Sequence, residues 1–232
     1  MPVCAIISGC KRYLGSMMVR TVNRQQDGQS VTCRLQPWQR GLKRAADATC
    51  AALGVVLTSP LLIVIALALK VQGKGSVIYA QERIGLGGRP FNILKFRTMV
   101  PNAEPDGKPQ LQQENDTRLT PVGSFLRRHH LDELPQLWNV LRGDMSLVGY
   151  RPERQYFIDM IMAEDPRYAC LYQMRPGVTS EATLYNGYTD TMEKMLERLS
   201  MDLRYMETAS LGRDLSIILS TLGRVVKGEK KK

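Results

Sequence analysis

The feature that most constrains this chain is a run of 22 residues without a charged side chain, at positions 48–69. As an α-helix this run would be about 33 Å long, at roughly 1.5 Å per residue. The hydrocarbon core of a bilayer is roughly 30 Å thick, so the run predicts a helix that enters a membrane. Ser59-Pro60 lies in its middle, where a proline removes a backbone hydrogen bond and bends or breaks a helix.

The charges on both sides of this run bear on its topology. Residues 1–44 carry eight Lys or Arg, and residues 70–97 carry six, each with a single acid. Positive residues prefer the cytoplasmic side of a membrane, and here both flanks carry them. We therefore favour a re-entrant helix that breaks at Ser59-Pro60 and returns to the same face. A helix that spans the bilayer and a buried core helix are the two alternatives.

The net charge of +10 is concentrated at the ends of the chain. Residues 1–44 have a net charge of +7 and residues 223–232 of +4, whereas the middle, 45–222, is close to neutral at −1. Basic ends of this kind predict an anionic partner. Only 6% of the residues are aromatic, and no basic and aromatic residues alternate as they do where bases stack. The pattern favours an anionic lipid membrane and argues against nucleic acid.

The rest of the chain predicts a mainly helical α+β fold with one small β-hairpin. Two short β runs flank a glycine-rich bend within residues 76–99, and a polar loop follows at 101–117. Apolar residues recur at helical spacing over 124–141, 153–163, 191–206 and 211–226, with turns at SLVGYRPE and RPGVTS between them. The last helix leads into a basic tail and is typical of an amphipathic interfacial helix, but packing on the domain's own core explains its apolar face equally well.

The sharpest local motif is RRHHLDELPQLWN, which places Asp132 and Glu133 side by side. Neighbouring side chains on a helix point about 100° apart, so this pair cannot flank a sugar as hydrolase carboxylates do, at roughly 5–9 Å. The two can divide the work, because one carboxylate can attack a phosphoryl group while the other holds Mg²⁺ together with phosphate oxygens. The alternative is a solvated acidic pair beside Arg127 and Arg128.

A zinc site is a poor alternative for this region. His129 and His130 are neighbours and face different directions on a helix, and only Asp132 or Glu133 could complete a ligand set. The five cysteines are odd in number and show no Cys-x-x-Cys spacing. This argues against zinc and against a disulfide framework, and it fits a reducing compartment.

Three arginines in turns, together with Lys95, predict a phosphate-bearing substrate. Arg97 follows a strand, and Arg151 and Arg175 each precede a proline. A guanidinium held by a proline-fixed turn suits bidentate phosphate binding. Each arginine alone could equally cap a helix or pair with an acid.

Over residues 41–226, a series of motifs in one order resembles the small monotopic phosphoglycosyl transferases of the bacterial sugar transferase family. The motifs are Lys43-Arg44, Ser59-Pro60, QERIG at 81–85, KFRTM at 95–99, LDELPQLWN at 131–139, RGDMSLVG at 142–149, RPE at 151–153 and RPGVT at 175–179.

The resemblance implies a reaction. A sugar 1-phosphate moves from a UDP-sugar to polyprenyl (undecaprenyl) phosphate and UMP is released, as the first membrane step in the assembly of a bacterial exopolysaccharide, capsule, lipopolysaccharide or glycoprotein. It also implies Mg²⁺ as cofactor and a location at the cytoplasmic face of the bacterial inner membrane. A homodimer and downstream glycosyl transferases are left open as protein partners.

The resemblance also implies residue roles. Asp132 matches the nucleophile and Glu133 the Mg²⁺ ligand, and the first helix of the family is re-entrant. Arginines that contact the substrate are matched by Arg127, Arg151 and Arg175, which together with Lys95 and Arg97 form the expected substrate-binding set. The expected organisation is a loosely ordered basic extension at 1–40, a re-entrant helix at 41–70, a catalytic domain at 71–226 and a basic tail at 227–232.

The chain departs from the family's pattern at two turns. Gly149-Tyr150-Arg151-Pro152 replaces the usual Gly-Pro-Arg-Pro, so the turn that holds Arg151 is expected to differ. Thr179-Ser180 replaces the usual Thr-Gly, which bears on the sugar and not on the reaction.

Two other functions compete with this one. A cationic membrane adaptor explains the basic ends but leaves the polar motifs of the neutral middle unexplained. A membrane glycosyl transferase would move the sugar without its phosphate and release UDP instead of UMP.

Overall fold

The computed structural model describes residues 31–73, 75–100, 116–187 and 189–227. Most of the expected extension, of the loop at 101–117 and of the basic tail lies outside these residues. Within them the chain is mainly helical and carries one small antiparallel hairpin, which confirms the predicted α+β class.

Helix α1 (Pro37–Val71, 35 residues) contains the uncharged run. Pro37 sits in its first turn, where the missing N–H is not needed, and the side chain of Gln39 accepts the backbone N–H of Gln36 at 2.9 Å. The first backbone N–H groups of a helix have no carbonyl acceptor within the helix. The bond from the N–H of Gln36 to the side chain of Gln39 therefore helps to fix where α1 starts.

The break predicted at Ser59-Pro60 is absent, because α1 continues as one helix through these residues. Pro60 cannot donate to the carbonyl of Val56, four residues earlier. The hydroxyl of Ser59 donates to that same carbonyl oxygen at 2.8 Å. The hydroxyl thus satisfies the acceptor that the proline leaves open, and the helix continues. Re-entry of α1 into a membrane stays a prediction.

Residues 31–36, assigned above to a loosely ordered extension, pack against the domain. Val31 and Leu35 are buried in the main core, and Cys33 packs against it. The side chain of Gln173 donates to the carbonyl of Val31 at 3.0 Å. Apolar residues at alternate positions are the signature of an extended segment with one buried face, but three of them are too few to stand out in a sequence.

The hairpin consists of strands β1 (Ile78–Ile84) and β2 (Pro90–Phe96), paired antiparallel. Gly87 and Gly88 have φ angles of +67° and +69° in the connection, a conformation that glycine adopts without a steric penalty. This confirms the hairpin predicted around the glycine-rich bend.

The helix predicted over 124–141 is three elements. They are α2 (Pro121–Arg128), a single 3₁₀ turn at Leu131–Glu133 and α3 (Gln136–Arg142). His130 interrupts the helix because its φ of +55° lies in the left-handed region, and among the described residues it is the one non-glycine residue with a positive φ. The chain therefore changes direction immediately before the acidic pair.

A second, two-stranded sheet was missed. Strands β3 (Ser146–Val148) and β4 (Gly177–Thr179) are parallel neighbours, in segments that we predicted as turns. The strands approach so closely at Gly149 that a Cβ atom there would lie 2.4 Å from the carbonyl oxygen of Arg175. Three-residue strands beside glycines have no detectable period, which explains the error.

Helices α4 (Gln155–Glu164), α5 (Glu181–Tyr185), α6 (Met192–Thr208) and α7 (Leu211–Lys227), with a 3₁₀ segment at Pro166–Gln173, complete the domain. Three of these helices agree with the predicted ranges to within two residues. In α7, Ile217 is buried in the main core, whereas Leu215, Leu219 and Leu222 are exposed. One face of this helix therefore packs on the domain, and the apolar stripe on its other face leaves the interfacial interpretation a prediction.

Helix α1 contacts this domain near both of its ends. At its start, Lys43 forms a buried ion pair with Asp214 of α7, with 2.6 Å between Nζ and Oδ2. Near its end, Leu69 is buried in an apolar cluster with Phe96 of β2 and Leu126 of α2. Between these contacts α1 exposes apolar side chains, which are Leu53, Val56, Leu57, Leu61, Ile63, Val64 and Leu67.

Candidate active site

The acidic pair lies on the single 3₁₀ turn between α2 and α3. Leu131 and Leu134, on either side of the pair, pack into the apolar cluster that also holds the end of α1. Asp132 is buried, with 6% of its surface exposed, whereas Glu133 is half-buried. The turn is thus anchored in the same apolar cluster as the end of α1. Its two adjacent carboxylates differ in their exposure to solvent.

Two cations from separate elements meet at Glu133. Lys95, on β2, places its Nζ 2.8 Å from Oε1 of Glu133. Arg151, in the turn after β3, places Nη1 3.5 Å from the same oxygen. Four residues of the predicted site thus lie together in the structure, although the sequence spreads them over more than fifty positions. They are Lys95, Asp132, Glu133 and Arg151.

The pKa of Asp132 is raised above its usual range. Burial is the main cause, and the neighbouring charge of Glu133 adds to it, while Lys95 and Arg127 act in the opposite direction. A poorly solvated carboxylate of raised pKa is a better nucleophile than one in water, and the surrounding cations keep it compatible with an anionic substrate.

Arg151 remains a cation in this environment. Burial acts to lower its pKa, but the charges of Glu133, Glu153 and Asp132 outweigh burial, and the net direction is upward. A fixed guanidinium beside a carboxylate can exchange that partner for a phosphate oxygen of a substrate, because the two groups present the same acceptor geometry.

Two residues that sequence reasoning did not single out hold the turn of Arg151. Glu153 forms an ion pair with Arg83 of β1, with 3.2 Å between Oε2 and Nη1. Arg83 also donates to the carbonyl of Pro152 at 3.3 Å. Both residues belong to the QERIG and RPE motifs, so their presence was noted but nothing in the spacing indicated that they pair.

Two arginines of the expected substrate-binding set have their recorded contacts elsewhere. Arg97 donates to the carbonyls of Leu69 and Gly73 at 3.1 and 3.3 Å, at the C-terminal end of α1. Arg175 donates to the carbonyl of Gly143 at 2.8 Å, beyond the far end of α3. Their substrate contacts stay predictions, and the cap of α1 is the role that the geometry shows for Arg97.

Cation ligands are few in the part of the chain that the structure describes, where no group of three or more His, Cys, Asp or Glu side chains could hold a metal ion. His129 is engaged through Nδ1 with the carbonyl of Phe125, at 2.9 Å. A zinc site therefore has no support in these residues. Asp132 and Glu133 offer oxygen donors only, which suits Mg²⁺ that takes its other ligands from phosphates and water.

Helix α1 is the one helix among the described residues that is long and apolar enough to cross a membrane. Its most apolar 18-residue window has a mean hydropathy of 2.6, and only 11% of that window is buried. A core helix of a soluble domain would be mostly buried, so this helix is not the buried core element that was kept as an alternative above.

Comparison with known proteins agrees with these features. The model of the bacterial sugar transferase family matches residues 38–228, and the chain belongs to this family. This confirms the resemblance drawn from the motifs.

Three relatives illustrate the range of similarity. A UDP-glucose:undecaprenyl-phosphate glucose-1-phosphate transferase of Caulobacter vibrioides is 48% identical over 183 residues, which are 78% of this chain and 68% of that protein. A protein of the same name from Escherichia coli is 42% identical over 185 residues, 79% of this chain and 40% of that protein. A UDP-N-acetylgalactosamine-undecaprenyl-phosphate N-acetylgalactosaminephosphotransferase of Aeromonas hydrophila is 37% identical over 187 residues, 81% of this chain and 44% of that protein. The chain thus spans about two thirds of the first relative and less than half of the other two.

Proposed function

We propose that this protein transfers a sugar 1-phosphate from a UDP-sugar to undecaprenyl phosphate and releases UMP. The observation that carries the proposal is the buried carboxylate of Asp132 next to Glu133, with Lys95 and Arg151 converging on the pair. The printed names of the relatives describe this kind of transfer with UDP-glucose and with UDP-N-acetylgalactosamine as donors. The product would be the first lipid-linked intermediate of a bacterial glycan.

In the first half-reaction, a carboxylate oxygen of Asp132 attacks the β-phosphorus of the UDP-sugar. A P–O bond forms to Asp132, the bond from that phosphorus to the bridging oxygen breaks, and the electron pair leaves with UMP. Lys95 and Arg151 neutralise charge that builds up on the phosphoryl oxygens. The half-buried position of the pair limits attack on the aspartyl phosphosugar by water.

In the second half-reaction, a phosphate oxygen of undecaprenyl phosphate attacks the same phosphorus. The carboxylate of Asp132 is the leaving group and is regenerated, and the product is undecaprenyl diphosphate sugar. No net proton is gained or lost at Asp132, so the residue needs no separate base for its own recovery.

Glu133, with Asp132 beside it, would hold Mg²⁺ if the diphosphate supplies further oxygens. The ion would supply charge neutralisation at the leaving phosphate. Without substrate, Lys95 and Arg151 neutralise Glu133 in its place.

We further propose a re-entrant topology for α1, in which the helix bends at Pro60 without an interruption and both of its ends lie on the cytoplasmic face of the inner membrane. The support is that the start of α1 contacts α7 through Lys43 and the end of α1 contacts β2 and α2 through Leu69. A helix that crossed the bilayer would carry these two ends to opposite sides, away from the single domain that they touch. The exposed apolar residues between them would face lipid.

Topology is tested with single cysteines in a variant from which the five native cysteines have been removed. Thr32→Cys and Ser76→Cys lie at exposed positions before and after α1. Both should resist an impermeant maleimide in intact cells and react after permeabilisation. Reaction of one of the two from outside would establish a span.

The reaction is tested with detergent-extracted protein, Mg²⁺, undecaprenyl phosphate and radiolabelled UDP-glucose or UDP-N-acetylgalactosamine. UMP and a labelled lipid are the expected products. Release of UDP would support the glycosyl transferase alternative, and absence of turnover with every donor of a wider UDP-sugar panel would favour the adaptor.

A further inference from the structure

Helix α6 brings two buried ionisable side chains to the back of the turn that carries Arg151. Arg198 and Asp202 lie one helical turn apart, and their exposed fractions are 8% and 2%. Apolar residues of the same helix, such as Leu199, Leu203 and Met206, fill the main core around them. Burying two charged groups costs solvation free energy, and this cost must be offset by hydrogen bonds or ion pairs with neighbouring groups.

The partner of Arg198 is Glu153, two residues after Arg151. Its Nη1 lies 3.0 Å from Oε1 of Glu153, while Arg83 holds the other carboxylate oxygen from the opposite side. The backbone N–H of Ile84 donates to the carbonyl of Glu153 at 3.3 Å. Glu153 is therefore clamped between β1 and α6, and the turn cannot shift without breaking an ion pair.

Asp202 lines the same cavity as Arg151, and the backbone N–H of Arg151 acts to lower the pKa of the Asp202 carboxyl group. Burial raises the pKa of Asp202 to about 8, and Arg198 counteracts part of this rise. Oδ1 of Asp202 has no partner among the described protein atoms. Arg151, Glu153, Tyr168, Arg198 and Asp202 line one small cavity, which places this cluster directly behind the substrate-facing guanidinium.

We propose that Arg198 and Asp202 are positioning residues for Arg151: Arg198 fixes its turn through Glu153, and Asp202 holds its backbone N–H. The proposal rests on the proposed function, since the orientation of Arg151 matters only if its guanidinium binds the diphosphate of the donor. A guanidinium binds phosphate with two parallel N–H groups, so a small rotation of the turn weakens binding although the charge is unchanged. Helix α6 thereby acts on a site to which it contributes no substrate contact.

The test is a double-mutant cycle on kcat/KM for the UDP-sugar, with full-length protein in detergent or nanodiscs. Arg198→Met should lower kcat/KM about tenfold in the wild-type background, and less than about twofold when Arg151 is already replaced by Ala, because the residue acts through Arg151. Arg198→Lys keeps the charge against Glu153 and should restore kcat/KM to within about threefold of wild type. Arg204→Met, at an exposed position of the same helix, is the matched control and should have no effect.

Asp202 is tested in the same way. Asp202→Asn retains an acceptor for the N–H of Arg151 and should stay within about threefold of wild type, whereas Asp202→Leu should lose about tenfold, again only when Arg151 is present. Glu197→Gln, exposed on α6, is the control. Thermal unfolding of every variant reports loss of fold separately from loss of kcat/KM.

The outcomes distinguish two failures. Wild-type protein that releases no UMP from any UDP-sugar would overturn the proposed function and the positioning roles with it. Active wild-type protein in which the losses from Arg198→Met and Arg151→Ala multiply would overturn the positioning roles alone, because Arg198 would then act independently of Arg151. A loss that follows the unfolding temperature and is equal in both backgrounds would likewise show a merely structural role.

Discussion

Arg151 and Arg97 were both expected to bind phosphate, and the structure gives them different kinds of partner. The guanidinium of Arg151 faces the carboxylate of Glu133 at 3.5 Å, in the turn after β3. The guanidinium of Arg97 faces backbone carbonyls at the end of α1, of which Leu69 is the nearer at 3.1 Å. In the structure each of them follows a strand, since Arg97 comes directly after β2 and Arg151 lies in the turn after β3.

The kind of acceptor is a criterion for distinguishing an arginine that could bind substrate from one that stabilises the fold. Carbonyls at a helix end have no other donor within the helix, so an arginine that binds them is retained for stability. In the proposed reaction the carboxylate of Glu133 holds Mg²⁺, so a cation beside Glu133 would be available to an anionic substrate. The kind of acceptor is therefore more informative than the turn or strand that precedes the arginine.

The largest loss of activity is expected at the acidic pair, Asp132 and Glu133, that Arg151 faces. Asp132→Asn keeps the shape of the side chain but removes the nucleophile, so kcat should fall at least about 10³-fold, which corresponds to roughly 4 kcal/mol. Intact-protein mass spectrometry after mixing with UDP-sugar should show a sugar-phosphate adduct in wild type and none in the variant. If the adduct persists in Asp132→Asn, or if UMP appears only when undecaprenyl phosphate is present and no adduct ever forms, direct attack by the lipid phosphate is correct.

A smaller but still severe loss is expected at the partner of Arg151. Glu133→Gln removes one charge beside the diphosphate site, and kcat should fall about 10²-fold because Mg²⁺ is held less tightly. Raising the Mg²⁺ concentration should recover part of the activity in this variant but none in Asp132→Asn. Chelation of wild type should abolish UMP release and Mg²⁺ or Mn²⁺ should restore it; full activity in excess EDTA would remove the metal from the proposal.

The two arginines themselves give the direct test. Arg151→Lys keeps the charge but loses the paired N–H groups, so kcat/KM should fall about 10- to 100-fold with little change in stability. Arg97→Met should lose less activity but more stability, by about 1–2 kcal/mol in the free energy of unfolding, because the methionine side chain cannot donate to the carbonyls at the end of α1. Equal losses of activity in the two variants would mean that Arg97 also contacts the substrate.

The smallest effect concerns stability and pH at Asp132. The pKa of Asp132 is raised in the folded protein, so folding disfavours its ionised form. The free energy of unfolding therefore decreases as the pH rises from the pKa of the unfolded state to that of the folded state. Asp132→Asn should therefore stabilise the protein at pH 7, and the gain should shrink as the pH falls toward the ordinary pKa of an aspartate, near about 4. Asp190 has a lowered pKa through its bond with Lys194, so Asp190→Asn is the control and should give no gain.

Much of the fold could be predicted because its long elements repeat apolar residues at a clear period. The hairpin and helices α4, α6 and α7 belong to this group. The parallel pair of β3 and β4 could not be predicted, because three residues are too few to establish an alternating pattern and the paired residues lie 31 positions apart in sequence. The prediction of one helix over 124–141 failed at His130, where a left-handed backbone conformation interrupts the helix.

For the site, the sequence identified the acidic pair and the cations but not their arrangement. Lys95 reaches Glu133 from β2 and Arg151 reaches it from the turn after β3, whereas Arg175 contacts Gly143, and only the fold decides between these partners. Arg198 and Asp202 escaped notice because polar residues on an amphipathic helix are expected to face solvent. They are buried because α6 packs with this face against the turn that carries Arg151.

The contacts at both ends of α1 make its length a fixed dimension of the protein. Between Lys43 and Leu69 the helix bridges two separate attachment points on one domain. One inserted residue would rotate everything after it by about 100° and advance it by about 1.5 Å, which would turn Leu69 away from its cluster and move the carbonyls that Arg97 binds. The exposed apolar residues between the attachment points can be exchanged freely for others of their kind. Evolution and engineering can therefore change the composition of this segment, but not the number of its residues.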